Sequence, residues 1–162
     1  MPAPDGTVPQ APRDALGVIR TAARALLLQD GAVLAIQYVD KQGAYYALPG
    51  GGQREGEPLH QTLLRECREE IGVDVAPGDL LFVREWIDPT RTIHQVEFVF
   101  SATAPRITRV ASAVPDGDQV GVEWLPLSTV AGRRLYPLEI RTFLSNIAGG
   151  ATPPPVYLGA GT

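Results

Sequence analysis

Three consecutive glycines, Gly50 to Gly52, lead into a run of helical spacing that ends at Gly72, and no other stretch limits the folding of this chain so much. Glycine tolerates tight backbone paths closed to residues with a Cβ, so the triplet marks a sharp turn that brings backbone groups close to a ligand or to another strand. Pro58 suits the first turn of a helix, where its missing N–H has no intrahelical acceptor to meet. The helix is therefore expected to begin near Glu57 or Pro58 and to stop at Gly72, a natural left-handed cap, with Ile71 and Val73 packing its end against the body. On a 3.6-residue period Leu64, Cys67 and Ile71 share an inward stripe, with Leu63 on its margin.

Glu66, Glu69 and Glu70 fall at spacings of three and four and project together from another side of this helix. Like charges so placed repel, and the last two sit at the helix end where the dipole disfavours anions. A hard divalent cation removes that conflict, because Mg²⁺ and Mn²⁺ take oxygen ligands and also bind phosphate oxygens. Taken alone, the triplet fits a solvated acidic helix equally well. The wider spacing changes the balance: glycine, any five residues, Glu, any seven, Arg-Glu, an apolar residue, any, Glu-Glu, any, glycine, apolar. Gly51, Glu57, Arg65, Glu66, Cys67, Glu69, Glu70, Gly72 and Val73 fill every constrained position. In this the chain resembles the Nudix hydrolases.

That resemblance implies an α/β fold, an α/β/α sandwich with a mixed β-sheet between helices. It implies Mg²⁺ or Mn²⁺ as cofactor, held by Glu66, Glu69 and Glu70 with the backbone carbonyl of Gly50. Arg65 is expected to hold neighbouring carboxylates, and Glu57 to join that network or reach a metal through water. The catalytic set is thus Arg65, Glu66, Glu69 and Glu70. Glu69 is placed provisionally as the general base, and Glu97, Asp116, Asp118 and Glu123 are the other candidates.

A chain of 162 residues, 44% hydrophobic and 20% charged, is enough for one globular domain. Residues 1–17, with Pro2, Pro4, Pro9 and Pro12, form an expected flexible tail, 18–150 the domain, and 151–162 an extended tail that offers a surface to a partner protomer. A net charge of −4 argues against a general duplex-binding surface but not against a nucleotide. Cys67 is the sole cysteine, so no intramolecular disulfide or cysteine-based zinc site is available, and its inward position makes it structural. Neither a secretion signal nor a membrane span is apparent, and the cytoplasm is expected.

Val18 to Leu28 reads as a strand turning through Gln29-Asp30-Gly31 into Ala32 to Val39. Arg20 and Arg24 are expected to be solvated strand residues, contact with a substrate phosphate being the other reading. Asp40 to Gly43 is a turn, and Tyr38, Tyr45 and Tyr46 either cover the sheet or stack on a base. Pro77-Gly78-Asp79 is expected to redirect the chain before a strand over Leu80 to Ile87, with a turn at Asp88-Pro89-Thr90. His94 to Ala102 alternates strictly, Val96, Phe98 and Phe100 opposing Gln95, Glu97 and Val99. Glu97 and Glu85 either face the metal cavity or lie exposed, and His94 is expected at a strand edge. Val120 to Leu125 is a further strand, and Pro137 opens a final helix that ends at Gly149-Gly150 and covers the sheet face opposite the first helix.

The leading functional expectation is metal-assisted cleavage of the pyrophosphate in a nucleoside diphosphate linked to another group, ADP-ribose being one such substrate. The alternatives are a nucleoside triphosphate pyrophosphohydrolase sanitising oxidised nucleotides such as 8-oxo-dGTP, and a non-catalytic nucleotide-sensing domain. The expected partner is thus a small nucleotide, with no duplex nucleic acid and no membrane. Pairing into a homodimer is left open.

Overall fold

The computed structural model describes residues 17–108, 119–148 and 156–161, and every statement below concerns these. Strand β1 (Ile19–Gln29) turns through Asp30 and Gly31, both at positive φ, into β2 (Ala32–Asp40). Such a two-residue turn matches the twist of the strands it joins. β3 (Gly43–Ala47) pairs antiparallel with β2, and the glycine triplet itself is a short strand, β4 (Gly50–Gly52), antiparallel to β1. Helix α1 (Leu59–Ile71) follows, then β5 (Ala76–Asp88), β6 (Ile93–Thr103), β7 (Gln119–Pro126), β8 (Leu135–Tyr136), helix α2 (Ile140–Ala148) and β9 (Val156–Gly161).

The strands make one mixed sheet in the order β8-β3-β2-β1-β6-β5-β9, with β4 also on β1 and β7 on β2. β1 is the hinge of the arrangement. Its end pairs with β2 at Leu28 and Gln29, while Ile19 to Leu27 run parallel to β6. Ala22, Ala23 and Ala25 are fully buried within it, small enough to let neighbouring elements approach on both sides. On one side Ala23, Ala25, Leu34 and Ile36 pack with Leu63, Cys67 and Ile71 of α1. On the other, Leu26, Val33, Phe82 and Val99 pack with Ile140, Phe143 and Leu144 of α2. The two helices thus cover opposite faces, as expected.

Several local expectations need correction. The inward stripe of α1 is Leu63, Cys67 and Ile71, all at most 1% exposed, and Leu64 is the marginal residue, on an outward groove with Arg65 and Arg68. Pro58 is the cap before the helix, with ψ at 152°, rather than its first helical residue. Gly72 does close the helix in the left-handed region at φ 67°, its N–H bonded to the Arg68 carbonyl. Pro77, Gly78 and Asp79 do not redirect the chain: they lie inside β5, where the pairing with β6 slips. A bulge accommodates a proline that cannot donate to the ladder. Pro137 likewise precedes α2 in a turn closed by Ile140 N–H on its carbonyl. Within the stretch expected as an extended tail, Val156–Gly161 form a strand beside β5 of the same chain. Residues 1–16 and Gly149-Gly150 lie outside the described residues.

Candidate active site

β4 and α1 meet through backbone-to-carboxylate contacts that only glycine permits. Gly50 sits at φ 139°, and a Cβ there would lie 2.0 Å from the Ala23 carbonyl oxygen. A Cβ on Gly51 would lie 2.5 to 2.7 Å from the Glu66 carboxylate. The first glycine is therefore fixed by β1, and the second by the helix it feeds.

Glu66, Glu69 and Glu70 differ sharply in surroundings, although they share one helix. Glu70 is only 8% exposed and accepts the Gly50 N–H at 2.9 Å. Glu66 takes a hydrogen bond from Arg65 Nη1 at 2.5 Å. The Glu69 side chain is 47% exposed, 3.3 Å from Arg65 Nη1 and 3.7 Å from Arg54. Arg65 is the organiser, since its Nε and Nη2 also reach both oxygens of Glu57, at 2.8 and 3.0 Å, and its Nη2 donates to the Gly52 carbonyl. Five N–H donors in a rigid fork suit that task. Hydrogen bonds from Arg65 and backbone Arg54, with that of the Thr62 hydroxyl, pull the Glu57 carboxyl down to about 2, against the opposing effect of its burial. Arg65 is raised above the ordinary arginine value in turn, by its bond to Glu57 first.

The groups here that could ligate an ion, the carboxylates and the glycine carbonyls, offer oxygen, the donor type of a hard cation. As they stand, each carboxylate is engaged by Arg65 or by the glycine backbone. No three acidic, histidine or cysteine side chains among the described residues are gathered closely enough to hold a metal ion.

A second cluster, missed in the sequence, adjoins the first. Arg24 is not a solvated strand residue: its Nη1 donates to the Gly50 carbonyl at 2.7 Å. Its Nε and Nη2 each lie 3.1 Å from Glu97 Oε1. Glu97, 6% exposed, is shared with Arg84 at 3.0 Å and with the Gln95 amide at 2.9 Å. Burial lowers the Arg24 pKa, but the charges of Glu97 and Glu70 outweigh it and the net shift is upward. The signal in the sequence was an arginine set among the alanines of an apolar stretch. Glu97 thus faces inward, tied to two arginines rather than lying exposed.

The remaining candidates separate. Glu123 accepts from Tyr46 Oη at 2.8 Å and Arg133 Nη2 at 2.9 Å, a clamp between β7, β3 and the segment before β8. Glu85 receives His94 Nε2 at 2.8 Å and the Tyr157 hydroxyl at 2.8 Å, which hold its carboxyl below the ordinary range and tie β9 to β5. Asp116 and Asp118 lie outside the described residues. Cys67 is buried, and desolvation, with the charges of Glu70 and Glu66, pushes its thiol up to about 12.

The family model of the NUDIX domain matches residues 14–146. The human protein named 8-oxo-dGDP phosphatase NUDT18 is 30% identical over 130 residues, 79% of this chain and 38% of that protein. Nucleoside triphosphatase NudI of Salmonella heidelberg (strain SL476) is 38% identical over 64 residues, 38% of this chain and 45% of its own length. The matches thus span less than half of these two relatives. Among solved structures, a MutT NUDIX hydrolase from Burkholderia pseudomallei superposes with a TM-score of 0.59 at 28% identity, covering 68% of this chain and 85% of that one. An ADP-ribose pyrophosphatase from Streptococcus suis shares the fold, with a TM-score of 0.56 at 18% identity over 85% of this chain and 98% of that one. A glycine strand locked to a carboxylate helix, in a mixed sheet between two helices and matched by the family model over most of its length, makes this chain a member of the Nudix hydrolase family.

Proposed function

We propose that the chain is a divalent-metal-dependent pyrophosphohydrolase that cleaves a nucleoside diphosphate linked to a second group. The observation that carries this is the placement of Glu70 on the Gly50 N–H and of the Glu66 carboxylate against Gly51, with Arg65 spread across Glu57, Glu66 and Glu69. Three carboxylates crowded on the last two turns of a helix cost stability unless a cation offsets them. The residues that would hold Mg²⁺ or Mn²⁺ are Glu66, Glu69, Glu70 and the Gly50 carbonyl, with Glu57 behind them. When bound, such an ion shields the phosphates and makes water a better nucleophile at neutral pH.

The chain's own groups then have distinct tasks. Glu69, the most exposed of the three, accepts the proton of the attacking water at its carboxylate. Arg65 keeps Glu57 ionised and holds Glu66 in place, so the acidic group is ordered before substrate arrives. Gly50 is gripped on both sides, its N–H by Glu70 and its carbonyl by Arg24, which aims the carbonyl. Arg24 and Arg84 supply positive charge beside the turn, where a diphosphate would need it.

Cleavage of a nucleoside triphosphate is the second reading, favoured by the likeness to NudI over the residues it matches. One experiment separates the two: the purified chain is incubated with and without Mg²⁺ on a panel of nucleotide sugars, ADP-ribose, and ordinary and oxidised triphosphates, and both products are identified. Release of a nucleoside monophosphate from the diphosphate-linked substrates, only with metal, is the expected result. Turnover confined to triphosphates supports the second reading. Tight binding of one nucleotide with no turnover of any would instead make the chain a sensor.

A further inference from the structure

On the face of the sheet that α1 covers lies a corner of three tyrosines. Tyr38 of β2 and Tyr45 of β3 are directly opposite in register, and their rings stack at 5.2 Å between centroids and 17° between planes. Tyr136 of β8 meets Tyr45 edge-on at 6.1 Å and 81°. The far side of the corner is closed by Arg134, whose guanidinium is 5.6 Å from the Tyr45 centroid and is held by Asp40 at 2.7 Å. Val122 and Trp124, opposite Ile36 and Leu34 in register, extend the same face away from Tyr38. Tyr136 is nevertheless 40% exposed, and Tyr38 and Tyr45 are only half-buried. A contiguous aromatic face left partly open to water is a mark of a binding surface rather than of a core.

Its position relative to the glycine turn identifies the occupant. β3, which carries Tyr45, runs directly into the glycine turn, and Arg24 Nη1 reaches the carbonyls of both Leu48 and Gly50 there, at 3.4 and 2.7 Å. The corner therefore adjoins the place where a diphosphate would meet Gly50, Arg24 and the α1 carboxylates. A ligand with phosphates at that end and a planar ring at the other fits both.

We propose that Tyr38, Tyr45 and Tyr136 form the nucleobase subsite of the hydrolase, an inference that rests on the function proposed above. Stacking supplies the main attraction there, and it favours the larger face of a purine over a pyrimidine.

The test uses the full chain with Tyr136→Leu as principal variant, Tyr45→Leu as a second and Tyr136→Phe as the conservative control. With Mg²⁺, KM for ADP-ribose is expected to rise about tenfold in the Leu variants while kcat stays within about twofold, since loss of one stacked base is worth roughly that factor. Tyr136→Phe keeps the wild-type KM. A base-free diphosphate carrying ribose at both ends shows no such change in any variant. AMP titrated by NMR gives a readout without turnover, and its Kd should weaken by the same factor. Equal KM increases for the base-free and base-bearing substrates would overturn the proposal, as would AMP binding unaltered by Tyr136→Leu. If the wild type hydrolyses nothing, the hydrolase reading fails, and the AMP titration still decides the subsite. A change of molecular mass on sedimentation with unaltered AMP affinity would assign the face to a second copy of the chain and overturn it too.

Discussion

Arg65 makes an otherwise strained row of acids compatible with folding. Because it lowers the Glu57 carboxyl from 4.5 to about 2, the pair stabilises the folded chain above the unfolded carboxyl value, and that contribution is lost as pH falls towards 2. Thermal melting followed between pH 5 and pH 2 should therefore show a steeper loss in the wild type than in Glu57→Gln, which lacks this titration; parallel curves would contradict the assignment. Cys67 makes a second prediction at this scale. With its thiol pushed up to about 12 and fully buried, it should react with a thiol reagent at pH 8 only on unfolding. Residue types and spacing within one helix were legible in the sequence, because the acids, Arg65 and Glu57 lie within a few turns of each other. Their unequal exposure was not, since it depends on how α1 lies against β4.

At the scale of elements, the glycines carry the sharpest expectations. Gly50→Ala places a Cβ against the Ala23 carbonyl and forces a left-handed backbone on an L-residue, so a loss of about 2–4 kcal/mol in chemical denaturation is expected. Gly72→Ala imposes the left-handed strain of the helix cap at φ 67° and should cost about 1 kcal/mol. Equal losses would mean that the approach of β4 to β1 is not what selects glycine at position 50. Helix ends marked by Gly72 and hairpins marked by Asp30-Gly31 could be read directly, for their signals are local. Pro77-Gly78-Asp79 misled because the same residues serve a turn or a bulge, and only pairing with β6 decides which. The apolar stripe of α1 was shifted by one residue, because Leu63 and Leu64 are adjacent and either is able to lead a helical face.

In the whole molecule, the proposed site is assembled from residues far apart in the chain. Arg24, Arg84 and Glu97 come from three strands, brought together by the parallel pairing of β1 with β6 and the antiparallel pairing of β6 with β5. Local periodicity carries no trace of such a meeting, so Arg24 reads from sequence as a surface residue. The same holds for Tyr136, whose part in the aromatic corner depends on the parallel pairing of β8 with β3. The proposed hydrolysis depends on the binding of a divalent cation by the carboxylates of α1 at the glycine turn. Its most direct test is titration of the purified chain with Mn²⁺, reading the free ion by electron paramagnetic resonance, for wild type and Glu66→Gln/Glu70→Gln with folding checked by circular dichroism. Depletion of free Mn²⁺ by the wild type and its loss in the folded variant is the predicted result; equal depletion by both would contradict the account.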